Sequence, residues 1–305
     1  MANPTDSRLD SGRSQVRLPA HLFDWRTGCS VSEQDATPWE DWLKGRGTTF
    51  GIHPSGAPCF LDRQRIESFD EYHSHNPYAT PGPETETAFS SWRVEVAKGL
   101  LLQHAPATAQ VLDIGCGPGD TTRALADECQ GMQFCGLDAS LTAVIDARTR
   151  HSRIPFVVGD AFEAPFAANS QDAIMLMNIW EHVTDPVSMA KSLRKVLKPE
   201  GVLVVTTPSR FRTENILRAL RGRDVSFRSV QHVTEYTVGQ VFEQLRWAGF
   251  DVVEHHGDPM PPPEGAFLQK LRRATLGAAL DGWRKATGSH HSFGPTVFFV
   301  ARQTR

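Results

Sequence analysis

VLDIGCGPGD, residues 111–120, is the stretch on which the fold turns. An apolar strand-like run leads into Gly115, Gly117 and Gly119, and a helical pattern follows. Glycine permits a tight turn and lets backbone approach a ligand closely. A dinucleotide site prefers G-x-G-x-x-G/A, yet position 120 is Asp. A carboxylate at a helix N-terminus competes with a pyrophosphate for that end of the helix. The loop therefore points away from a dinucleotide and toward a ligand without phosphates; a purely structural turn is the bland alternative.

Working outward, strand and helix patterns alternate. Strands are predicted at Ala109–Ile114, Phe134–Leu137, Pro155–Val158, Ala173–Met177, Gly201–Thr206, Phe250–Glu254 and Thr296–Ala301. Helices are predicted over 86–104, 119–129 and 140–149. Another begins at Asp185 with Pro186, an N-cap followed by proline at the first helical position, and carries Val187, Ala190, Leu193 and Leu197 on one face. Thr237 with Gln240 forms a capping box ahead of one more helix, which Gly249 ends. This alternation implies an α/β fold with a largely parallel, doubly wound sheet.

Residues 1–18 are polar and read as a mobile tail. Residues 19–85 hold many aromatics without a long period and read as an aromatic cap lying over a larger domain, residues 86–305. Two insertions are expected in that domain: a lid over 209–235 and a late one over 256–294. A net charge of −3 supplies no overall basic field for nucleic acid. No apolar run reaches the roughly 18 residues of a membrane span. The first 15 residues lack the apolar stretch of a secretory signal. Five scattered cysteines read as reduced thiols, so a cytoplasmic protein is expected.

Two carboxylates follow the glycine loop. Asp138 closes the second strand in GLDAS, where a carboxylate can accept both hydroxyls of a ribose. Asp160 closes the third in VVGDAF and can accept an exocyclic amino group of adenine. A helix cap and a surface turn are their bland roles. Taken in order, VLDIGCGPGD, GLDAS, GDAF, DAIMLMNIWEHV and LKPEGVLVVTTP resemble the successive motifs of class I S-adenosylmethionine-dependent methyltransferases. NIWEHVTDP followed by LRKVLKPEG is similar to the ubiquinone-type O-methyltransferases and their small-molecule relatives. The resemblance implies a Rossmann-like, seven-stranded sheet whose last strand, Thr296–Ala301, runs antiparallel. It also implies S-adenosylmethionine as cofactor. Gly115, Cys116 and Gly117 would meet its methionine part, with Asp113 setting the loop. Asp138 and Ala139 would hold the ribose, Asp160 and Ala161 would read the adenine, and Asn178 would lie near the sulfonium. Arg93 stands where an arginine of the ubiquinone-type enzymes pairs with the methionine carboxylate; a surface arginine is the alternative.

An oxygen or nitrogen acceptor must lose a proton on methylation, so a base or metal helps. His232, in SVQHVTEYT, and His182, beside Glu181, are the catalytic candidates. Imidazole is suited to taking a hydroxyl proton near neutrality; a histidine that pins a loop is the bland reading. In the ubiquinone-type relatives the Glu-His pair can contribute to a metal site, but Asn178 stands where a first carboxylate would be. A structural or substrate-orienting role is therefore preferred for His182, and no metal is expected. The His53, Cys59, His73, His75 and Cys29 group lacks paired C-x-x-C spacing and does not read as zinc. The arginines of 209–228 can hold an anionic substrate, but a solvated face is the simpler reading.

The function expected is methyl transfer to a small molecule, with a hydroxyl of a specialised or quinone-like metabolite as acceptor. N- or C-methylation, an RNA or protein acceptor, and a non-catalytic cofactor-binding relative are the alternatives. Nucleic acid is not the expected partner, and the sequence leaves the oligomeric state open.

Overall fold

A computed structural model describes residues 18–19, 21–24, 29–47, 49–74, 84–257, 279, 282–283, 286–287 and 294–304, with residues 71–74 and 84–89 described as backbone alone. Residues 1–17, His75 and most of the late insertion lie outside the described residues, as does the side chain of His73.

In chain order, the first strands are β1 (Phe23–Asp24), β2 (Cys29–Ser30) and β3 (Ala36–Pro38), followed by α1 (Trp39–Leu43), β4 (Phe50–Ile52), β5 (Pro58–Cys59) and α2 (Arg63–Ser74). The alternating part comprises α3 (Glu84–His104), β6 (Gln110–Ile114), α4 (Asp120–Glu128), β7 (Gln133–Asp138), α5 (Leu141–Arg150), β8 (Phe156–Val158) and β9 (Gln171–Met177). It continues through α6 (Pro186–Val196), β10 (Leu197–Pro208), α7 (Thr213–Leu220), α8 (Val238–Trp247), β11 (Phe250–His256) and β12 (Thr296–Gln303). Among the described residues no helix is long and apolar enough to cross a membrane.

One sheet runs β11-β12-β10-β9-β6-β7-β8-β5-β4-β3. Val111, Leu112 and Ile114 of β6, and the Val202–Val205 run of β10, are buried on both faces. Continuous apolar runs of this kind suit strands covered by helices on both sides, as in parallel sheets. β6 pairs in parallel with β7 on one side and β9 on the other. β12 is antiparallel to both neighbours, with Val204 opposite Val300. The seven strands from β6 onward thus form the doubly wound sheet with its reversed strand β12. Because chain order departs in both directions from β6, a crevice opens at the carboxyl ends of β6 and β9, where open α/β sheets bind ligands.

Local signals fall where the sequence puts them. The Asp185 side chain accepts from Ser188 N at 3.0 Å, with Pro186 opening α6. Thr237 and Gln240 exchange side-chain bonds to each other's backbone ahead of α8. One boundary differs. Leu197 is not helical but already pairs with Gln171, and a bulge separates it from Val202. Lys198 precedes Pro199, which disfavours a helical backbone and extends the chain early.

Within residues 36–59 three short strands form, where the sequence suggested an irregular cap. β3, β4 and β5 continue the sheet past β8, with Cys59 opposite Val158. The aromatics explain the attachment: Phe50 stacks on Phe60 with ring centroids 5.1 Å apart, and Trp42 Nε1 donates to Leu61 O at 2.9 Å. After β5, α2 returns along the carboxyl ends of β7 and β8 and touches α5.

Candidate active site

The loop after β6 takes its shape from three left-handed residues: Gly115 at φ 70°, Gly117 at φ 52° and Gly119 at φ 80°. Side chains rarely adopt this conformation. The turn carries the Gly115 amide to Leu137 O at 2.8 Å and the Gly117 amide to Asp138 Oδ2 at 2.7 Å. Ser140 N donates to Asp138 Oδ1 at 2.9 Å. The carboxylate that ends β7 therefore clasps the glycine loop at the crevice.

A cavity of about 1080 Å³ occupies the crevice. Arg93, Asp113, Gly115, Cys116, Gly117, Asp138, Ala139, Asp160, Ala161 and Asn178 all line it, and so does His182. Asp120 is also at the wall, held by Arg150 at 2.8 Å. The Cys116 thiol is pushed far up by burial and by the neighbouring Asp138 and Asp113, so it does not ionise near neutrality.

Asp113 is buried and accepts from Thr122 Oγ1 at 2.6 Å through Oδ2, while Oδ1 has no hydrogen-bond partner. Burial pushes this carboxyl up to about 7, helped by Asp138; Thr122 and Arg93 oppose the rise. A buried acceptor with no donor is costly, so this oxygen fits a cationic group in the cavity. The ammonium of S-adenosylmethionine is such a group. An added Cβ at Gly117 would meet nothing within 4 Å, which leaves the loop backbone open to close approach.

Asn178 adopts φ 60° at the end of β9. Its Oδ1 accepts from Arg93 Nη1 at 2.7 Å and Thr206 Oγ1 at 3.0 Å, and its Nδ2 donates to Glu181 Oε1 at 2.9 Å. Arg93 is thus turned into the site from α3. Glu181 is fully buried, its carboxyl pushed up by desolvation, and Oε2 makes no hydrogen bond.

His182 follows Glu181 on a short 3₁₀ turn. Its Nδ1 lies 3.2 Å from Gln231 O. A carbonyl only accepts, so Nδ1 carries the proton and Nε2 holds the lone pair of the neutral ring. His232 is set back from the wall, its ring edge-on to His182 with centroids 4.9 Å apart. Its Nδ1 contacts Glu235 Oε1 at 2.9 Å. Glu235 also accepts from the Arg212 guanidinium and from Arg228 N at 2.5 Å. Burial pushes the Glu235 carboxyl up, but these donors outweigh it and hold it below the ordinary range. His182, not His232, is therefore the imidazole at the cavity wall. Arg212 is a buried strut of the lid and not part of an anion-binding face.

Among the described residues, Glu181, His182 and His232 bring one ligand atom each within 4.8 Å of one another. Of the zinc group weighed from sequence, Cys29 is exposed, the buried Cys59 thiol is pushed up to about 12 by desolvation, and His53 bonds Ser55 at 2.9 Å, while the His73 side chain and His75 lie outside the described residues. Sequence reading missed Glu235, three residues after His232, and the α2 residues Ser68 and Phe69, which line the cavity. An H-x-x-E spacing was the available signal for the first; nothing local marked the second.

A methyltransferase domain family matches residues 112–205, the span from β6 to β10. A probable S-adenosylmethionine-dependent methyltransferase of Mycolicibacterium smegmatis is 30% identical over 156 residues, 51% of this chain and 57% of that protein. A demethylmenaquinone methyltransferase of Thermotoga maritima is 34% identical over 116 residues, 38% of this chain and 49% of that protein. The chain spans about half the length of these curated relatives. In fold, the chain resembles the magnesium protoporphyrin IX methyltransferase of Synechocystis PCC 6803, solved with bound SAH. The TM-score is 0.51 at 13% identity, covering 79% of this chain and 96% of that one. With the sheet order and the glycine cradle, residues 112–205 form a methyltransferase domain, and the chain is similar to class I S-adenosylmethionine-dependent methyltransferases.

Proposed function

We propose that this chain transfers a methyl group from S-adenosylmethionine to a hydroxyl of a small, quinone-like or specialised metabolite. The observation that carries the cofactor half is the convergence of Asp113, Gly115, Gly117, Asp138, Asp160 and Asn178 on one cavity, with the partnerless Asp113 Oδ1 among them. The cofactor supplies an electrophilic methyl carbon on a positive sulfur. The chain's own part is to hold both reactants in line and keep water out. Asp138 accepts from the ribose, Asp160 and the Ala161 amide hold the adenine, and Asp113 faces the ammonium.

The acceptor half rests on His182 and on space. A cavity of about 1080 Å³ stands at the upper end of small-molecule clefts, which run roughly 300–1,000 Å³, and suits two ligands side by side. His182 Nε2 takes the hydroxyl proton, and the ring keeps its orientation through Gln231 O. His232, fixed by Glu235, braces His182 from behind. The demethylmenaquinone methyltransferase relative supports a quinone-like acceptor.

The test uses the full chain, S-adenosylmethionine labelled on its methyl group, and a panel of phenols, catechols and hydroquinones. The expected result is a product labelled at oxygen. A product labelled at carbon or nitrogen, or label on RNA or protein alone, would overturn the hydroxyl reading.

A second reading is favoured by the buried, partnerless Glu181 Oε2 beside His182 and His232. One carboxylate and two imidazoles are a donor set for a divalent transition metal. The imidazole tautomers are fixed by a carbonyl and a carboxylate, as second-shell partners fix metal-ligating histidines. The chemistry such an ion supplies is a lowered pKa on a bound oxygen. Cobalt(II) titration would show a visible absorption band from the chain that Glu181→Gln abolishes; no band removes this reading.

A further inference from the structure

α2 belongs to the N-terminal segment, outside the matched methyltransferase span, yet it is tied to both loops that frame the adenosine end of the cavity. Near its start, Arg65 forks: Nη1 donates to Glu163 Oε2 at 3.0 Å, and Nη2 pairs with the Asp160 carboxylate. Farther along, Asp70 Oδ1 accepts from Ser140 Oγ at 2.9 Å and from Thr142 N at 3.2 Å, across the N-terminus of α5. One link lands on the loop after β8, the other on the loop after β7. Between them Ser68 and Phe69 line the cavity. Phe69 stands four residues after Arg65, hence on the same helix face. It is half-buried against the cluster that holds Cys116, Leu141 and Val144.

Position 139, after the ribose carboxylate, is alanine and offers only a methyl group to a flat base. A purine read at its edge by Asp160 needs cover on its faces, and an aromatic ring supplies such cover to any base. The geometry points to α2 as a wall of the adenosine subsite, with Phe69 packing on the purine and Arg65 and Asp70 as positioning residues that hold the helix across β7 and β8. This rests on the cofactor reading above and assigns the N-terminal segment to cofactor capture, not to the acceptor.

The experiment is calorimetry of the full chain with S-adenosylhomocysteine, with ligand-free melting temperatures as the control for folding. Phe69→Ala should weaken binding roughly 5- to 100-fold, the range spanned by loss of base–aromatic stacking. Phe69→Trp should retain affinity, and its added tryptophan emission, taken against wild type, should be quenched at saturation. Arg65→Met should weaken binding severalfold, with Arg65→Lys recovering part of the loss at an equal melting temperature. Wild-type affinity in Phe69→Ala, or a Phe69→Trp chain that binds while its added emission stays unquenched, would overturn the wall. Should the wild-type chain fail to bind at all, the cofactor reading falls first and this inference falls with it.

Discussion

Asp113 and Asp138 stand at the ends of neighbouring strands, and their surroundings separate their roles. Asp138 is held by two backbone amides, and its place about 20 residues past the glycine loop is what marks it in the sequence as a candidate for the ribose, beside the plainer role of a cap. Charge-assisted hydrogen bonds contribute roughly 1.5–3 kcal/mol each. Asp138→Ala should therefore weaken S-adenosylhomocysteine binding at least about tenfold in a calorimetric titration, and equal affinity would contradict the ribose assignment. Asp113 makes a pH prediction. Its folded-state pKa, about 7, lies above the carboxyl's ordinary value of 3.8. The folded chain thus binds the proton more tightly than the unfolded one. The stability this group contributes is fully present below about pH 4 and is lost as pH rises through 7. In ligand-free melting curves from pH 5 to 8, wild type should lose stability relative to Asp113→Asn. A constant difference across that range would contradict the burial argument. With S-adenosylhomocysteine present the ammonium favours the charged carboxylate, so wild-type affinity should rise through pH 7 while that of Asp113→Asn stays level.

At the scale of elements, the helix signals were legible because they are local. Asp185-Pro186 and Thr237 to Gln240 need only three or four residues to be recognised, and both cap their helices. The contacts of residues 209–235 and of α2 were not, because they are long-range: Arg65 and Asp160 lie 95 positions apart, and His182 and Gln231 lie 49 apart. Residues 209–235 are braced by a buried pair. Arg212 and Glu235 are 4% and 0% exposed, and the same Glu235 holds His232. Removing one partner of a buried pair leaves the other uncompensated, at a cost of about 3–5 kcal/mol. Arg212→Met should lower stability in urea titration by that order; a loss under about 1 kcal/mol would mean the lid does not depend on the pair. For the histidines, His182→Ala should lower turnover roughly 10²- to 10⁴-fold, the span of general base catalysis, with cofactor affinity unchanged. His232→Ala should cost less and shift the pH–rate profile, since it acts through His182. A larger loss at His232 would return the base to that residue.

Across the whole molecule, the individual strands were legible because they are largely apolar: VLDI at 111–114 and VLVVTT at 202–207 suit a sheet covered on both faces, while their seven-stranded arrangement was expected from the resemblance. The three added strands were not legible, since β3, β4 and β5 have two or three residues each and hold their places through contacts between distant aromatics. Together these parts make one crevice, lined by the ends of β6, β7 and β9; in the proposed function a nucleoside would lie at the β7 and β8 side and an acceptor near β9. In the proposed function the crevice selects S-adenosylmethionine over a dinucleotide. Isothermal titration of the full chain with S-adenosylhomocysteine and, separately, with NAD tests it most directly. The account predicts saturable one-to-one binding of S-adenosylhomocysteine and no heat from NAD; binding of NAD, or no binding of S-adenosylhomocysteine, would contradict it.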